Sequence, residues 1–102
     1  MTPKYRPTHP GEFIKEDILK ELGMTQTQLA KALEVSRHTI NQLVNQKRGM
    51  TLDMALRLGQ FTQTSPEMWL NLQLAVDLWD ARHSSKAKQI RQIQPFLSLA
   101  SS

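Results

Sequence analysis

Apolar residues recur at three- and four-residue steps along most of the chain. Phe13, Ile14, Ile18, Leu19 and Leu22 make one such series before Gly23, with Pro10 suited to a first helical turn and Glu12 beside the positive end of the dipole. Thr25 with Gln28 three positions on is a capping-box pattern, and it opens a second helix that buries Leu29, Ala30 and Leu33. Ser36 caps a third helix carrying Ile40, Leu43 and Val44, and Thr51 caps a fourth with Met54, Ala55, Leu58 and Phe61 on one face. Ser65 and Pro66 start a fifth helix of about four turns. The pattern predicts an all-α fold of five helices.

The fifth helix has two apolar stripes. Trp69, Leu72, Val76 and Trp79 make one, and Leu70, Leu74, Leu78 and Ala81 make the other, turned by about 100°. Either the helix is central and wrapped by its own domain, or it packs inward with one stripe and pairs with a second copy through the other. The second reading is preferred, with Trp69, Leu70, Leu74, Leu78 and Trp79 as candidate dimer contacts.

With 102 residues, 39% of them hydrophobic, the chain suits one compact domain. The expected division is an extended arm over residues 1–8, the helical domain over 9–83, and a basic tail over 84–102 that holds at most one short helix. The formal charge of +4 is a mild bias toward anionic partners, and its distribution says more. Lys31 to Arg57 holds five basic residues against two acids, whereas Gly11 to Ala30 holds two against four. There is no cysteine, which suits a reducing cytosol, and no apolar run of membrane-spanning length, so a cytoplasmic location is expected.

"VSRHTINQLVNQKRG", Val35 to Gly49, sets polar side chains around a helix that has aliphatic anchors on its other side. A helix-turn-helix that reads DNA needs a first helix with a small residue at the crossing, a tight turn, and a capped second helix whose outer face is free. Gln26 opens the first helix, Ala30 is the small residue, Ser36 caps the second, and Ile40 and Leu43 anchor it. Arg37, His38, Asn41 and Gln42 then become candidate base readers, because Arg matches guanine and Asn or Gln matches adenine in the major groove. Gln26, Thr39, Asn45, Lys47 and Arg48 are candidates for phosphate. The plainer readings are that Arg37 and Gln42 solvate an outer face, that Lys47 and Arg48 belong to an ordinary charged loop, and that Gln26 only caps. No paired histidines or Gly-rich phosphate loop point to catalysis, so neither an enzyme, a metal, a cofactor nor a small-molecule substrate is expected.

The segment "HPGEFIKEDILKELGMTQTQLAKALEVSRHTINQLVNQKRGMTLDMALRLGQFTQTSPEMWLNLQLAVDL", His9 to Leu78, resembles the HigA/VapI antitoxins, a branch of the Xre (phage-repressor-like) helix-turn-helix superfamily. "HPGE", "KRG" with Thr51 two positions beyond it, "ALRL" and above all "SPEMWLNLQ" carry the resemblance. It implies a five-helix, lambda-repressor-like domain that dimerises through C-terminal helices. It further implies an operator of inverted-repeat DNA and a small RelE-like (HigB-type) toxin that cuts mRNA on the ribosome. The chain would then repress its own operon and neutralise that toxin; the alternative is a solitary Xre-type regulator without a toxin. A third reading is a protein-interaction module that no longer binds DNA. For the toxin, the acids Glu16 and Asp17 of the first helix are the expected contacts. Two positions depart from the family: Glu34 and Gln46 stand where glycine is usual, at a cost on the order of 1 kcal/mol if the backbone there is left-handed.

Overall fold

A computed structural model describes residues 3–96; the outer ends of the expected arm (1–2) and tail (97–102) lie outside the described residues. The described residues are helical, with no strand among them. Helix α1 (Pro10–Phe13) runs on directly into a π-helical stretch, Ile14–Lys20. It is followed by α2 (Gln26–Leu33), α3 (Arg37–Val44), α4 (Leu52–Thr62), α5 (Pro66–Arg82) and the short α6 (Lys86–Arg91).

Helices α2 to α5 start as the side chains predict, and α1 has a cap beyond those expected from the sequence. His9 caps α1, its Nδ1 accepting from the Gly11 backbone N–H at 2.9 Å. Thr25 and Gln28 satisfy each other's backbone donors at the head of α2. Ser36, Thr51 and Ser65 accept from Thr39, Met54 and Glu67, respectively. Behind His9 and Pro10, the first helix approaches α3 so closely that a Cβ on Gly11 would overlap the Leu43 carbonyl oxygen. The "HPGE" sequence is thus a cap followed by a close helix contact directly behind the third helix.

The first four helix ends share one device as well. At the close of the first helix the Met24 N–H reaches back to the Leu19 carbonyl (2.8 Å) around Gly23, whose φ is +65°. The same six-residue closure ends α2 (Val35 to Ala30, 2.9 Å), α3 (Lys47 to Gln42, 2.8 Å) and α4 (Thr64 to Gly59, 3.0 Å). There the left-handed residues are Glu34, Gln46 and Gln63, at φ 58°, 58° and 57°. The two departures from glycine are therefore left-handed, and both turns keep their hydrogen bonds.

The core gathers Ile14 and Ile18, Leu29, Ala30 and Leu33, Ile40, Leu43 and Val44, Met54, Ala55 and Leu58, and Trp69. Leu22, the last apolar residue of the first helix's series, is 60% exposed, because the helix is widened by i→i−5 bonds such as Glu21 to Glu16 and closes in the turn at Leu22–Gly23. One expectation needs correction. Trp69, expected at a dimer face, is 4% exposed, in the chain's own core, with its indole N–H donating to Thr64 Oγ1 at 2.9 Å. The Trp69 and Val76 side of α5 faces inward, while Leu74 and Leu78, 54% and 40% exposed, face out; Leu70 and Trp79 are half-buried.

Candidate nucleic-acid interface

Helix α3 is held from behind by Ile40 and Leu43, both fully buried, and by Val44. Its first turn stands free: Arg37 and His38 are exposed, while Gln42 and Asn41, one turn on, are half-buried. Asn41 is already engaged, its amide donating to the Gln26 side-chain oxygen at 3.2 Å. That contact joins the first residue of α2 to the middle of α3 and fixes the angle between the two helices. Gln26, considered for phosphate, is thereby also a brace.

The candidate phosphate residues separate in the same way. Thr39 shares a hydrogen bond with Ser36 Oγ at 2.9 Å and accepts from the Arg48 guanidinium at 3.3 Å, so Arg48 folds back over the start of α3. Asn45 donates its amide to the Asn41 carbonyl at 2.9 Å, ending its own helix. Lys47 is exposed on the following loop. Glu16, considered for a toxin, pairs with Lys20 at 3.4 Å; Asp17 is exposed on the same helix.

Three residues outside the sequence-based set hold this surface in place. Gln73 of α5 accepts from the Met50 backbone N–H at 2.8 Å and donates to Asp77 at 3.0 Å, tying the Lys47–Gly49 loop to the fifth helix. Its signal is weak, since Gln73 is one of two amides, with Asn71, between the aliphatic positions of "LNLQLAV". Arg57 donates to the Leu33 carbonyl at 2.9 Å and pairs with Asp53 at 2.8 Å, so this member of the positive stretch secures the turn between α2 and α3 instead of facing an anion. Arg6 of the arm forms a bidentate pair with Asp80 of α5, at 2.9 and 3.0 Å. No local pattern announces a partner so far along the chain. Arg6 shares a cleft of about 340 Å³ with Lys47, Arg48, Gln73 and buried His9. Burial, and secondarily the Arg6 charge, hold the His9 imidazole below its ordinary pKa, against the pull of Asp77 and Asp80.

The geometry is that of a braced two-helix unit whose second helix offers its amino-terminal turn to solvent. Known proteins match it. A helix-turn-helix family model covers residues 15–69. The chain is similar to antitoxin HigA-1 of Vibrio cholerae, 39% identical over 101 residues, covering 97% of this chain and 93% of that protein. It is also similar to virulence-associated protein I of Dichelobacter nodosus, 43% identical over 82 residues, covering 80% and 76%. Among solved structures, Pseudomonas aeruginosa antitoxin HigA with the higBA promoter superposes with a TM-score of 0.82 at 38% identity, over 89% of this chain and 99% of that one. No described helix is long and apolar enough to cross a membrane. On fold, motif and similarity together, this chain belongs to the helix-turn-helix family, in its HigA/VapI branch.

Proposed function

We propose that this chain is a dimeric repressor that binds an inverted-repeat operator and doubles as the antitoxin of a RelE-like toxin, autoregulating the operon that encodes both. Its family is one of DNA-binding regulators, not enzymes. The observation that carries the reading is the free first turn of α3: Arg37 and His38 are exposed at the end of a rod whose opposite side is fully buried. Two such helices in successive major grooves would sit about 34 Å apart. Arg37, His38 and the outward part of Gln42 read bases, with Asn41 positioned by Gln26; Lys47 and Arg48 meet phosphate. The protein acts in the cytoplasm, where the operator and the ribosome-directed toxin are found. Glu16 and Asp17 face a basic toxin on the side of the molecule that carries the first helix.

The test is a titration of the protein against its own upstream DNA, by fluorescence anisotropy, with and without the co-expressed toxin candidate. Arg37→Ala is expected to cost about 1–3 kcal/mol and to relax preference at one base pair, whereas Lys47→Ala weakens all sequences alike. With about four ionic contacts per half-site, log K should fall against log[salt] with a slope near −7. A salt-insensitive complex, or identical behaviour of the two variants, would refute the assignment. A solitary regulator would bind the DNA and co-purify with no toxin.

A further inference from the structure

Two apolar surfaces have no role in DNA binding, and they complement each other. The first is an apolar groove of about 540 Å³ between the first helix and the α4–α5 corner. Phe13, Leu22, Phe61 and Met68 line it above Trp69, and Asp17 stands on its rim. Leu22 is 60% exposed and Met68 40%, which leaves the groove open to solvent. The second surface is the end of the chain. From Asp80 to Phe96 only Ala87 is buried, while Ile90, Ile93 and Phe96 are 58%, 69% and 70% exposed. Lys86, Lys88 and Arg91 are interleaved with them, and no acid follows Asp80.

We propose that this C-terminal arm, α6 and the residues to Phe96, docks in the apolar groove beside Asp17 of a second copy, so that two chains exchange arms. The arm brings apolar side chains and positive charge, and the groove brings apolar walls and the carboxylate of Asp17. The shape agrees. The molecule measures 54 × 26 × 22 Å with a radius of gyration of 17.2 Å, against about 13 Å for a globule of 100 residues. An arm that stands off its own core has little to cover it but another molecule.

The helix between the two surfaces selects which copy. The groove touches Met68 and Trp69 at the start of α5, and the arm begins after its last residue, Arg82. These ends are separated by most of a 17-residue helix, roughly 20–25 Å. If two α5 helices pair antiparallel through the exposed Leu74 and Leu78, the end of each lies beside the start of the other. Each arm then reaches the partner's groove, and the two-fold axis makes the exchange reciprocal. This step rests on the dimer of the proposed function. A toxin held at Asp17 would compete with the arm for the groove's rim.

The chain contains no cysteine, so an engineered pair reports without background. Leu22→Cys and Ile93→Cys are introduced together and singly into the full chain, oxidised, and run on a non-reducing gel beside sedimentation equilibrium of the unmodified protein. The expected result is a covalent dimer from the double variant, and from an equimolar mixture of the two single variants, that exceeds anything from either single variant alone. In addition, Ile90→Asp with Ile93→Asp should weaken dimerisation by about tenfold or more. An intrachain cross-link, or a dimer with no cross-link, overturns arm exchange and leaves the operator-binding dimer standing; a monomer at all concentrations overturns both.

Discussion

Gln63 closes α4 at φ 57°, with its side chain donating to the Gln60 carbonyl at 2.8 Å. A left-handed residue with a Cβ costs roughly 1–2 kcal/mol, and glycine returns part of that as extra freedom in the unfolded chain. Gln63→Gly is therefore expected to stabilise the protein by about 0.5–1 kcal/mol in urea denaturation. A loss of stability would show that the Gln63 side chain matters more than its backbone. His9 works in the other direction. Its Nδ1 accepts a hydrogen bond, so the ring is neutral with its proton on Nε2. Burial lowers its pKa from the ordinary 6.5, so the unfolded chain takes up a proton more readily than the folded one. The stability this represents is complete above about pH 6.5 and is lost as the pH falls from there through the folded value. Comparing unfolding midpoints at about pH 7.5 and 5.5, the native protein should lose more than His9→Asn, which keeps a capping oxygen but does not titrate.

At the scale of elements, caps and spacing were readable because each depends on residues within one turn. Thr25, Ser36, Thr51, Ser65 and Pro66 all start helices where their side chains predict. What eluded the sequence depends on approach between elements. Nothing local distinguishes Trp69 in the core from Trp69 at a dimer face, since both stripes of α5 are equally apolar. Nor does spacing show that the first helix is widened, which is what turns Leu22 outward. The free side of α3 was legible through its anchors, but the brace between Gln26 and Asn41 needs the crossing of two helices to be known. Gln73 gives the element scale its test. Removing it strands the partly buried Met50 N–H and frees the loop that carries Lys47 and Arg48. Gln73→Leu is expected to cost about 1–2 kcal/mol in denaturant midpoint and to weaken DNA binding equally for all sequences, as judged by anisotropy. Altered base preference would instead place Gln73 in the readout itself.

The molecule as a whole is asymmetric in charge and in finish. Its positive loop and the start of α3 occupy one region, and four of its nine acids gather along the first helix. The arm pair Arg6 and Asp80 spans 74 positions, nearly the entire domain. Such a contact cannot form until the intervening helices are in place, and it returns little energy because both groups are exposed. It should behave as a latch: last to close, first to open, and detachable while the bundle stays folded. Trypsin reports on it, since Lys4–Tyr5 is cleavable whereas Pro7 protects the bond after Arg6. Asp80→Asn is expected to hasten the cut after Lys4 several-fold with the thermal midpoint nearly unchanged, and equal cutting rates would mean the latch is open in the native protein too. A duplex phosphate arriving beside Lys47 and Arg48 would find this guanidinium within the same cleft, already ordered and only lightly held.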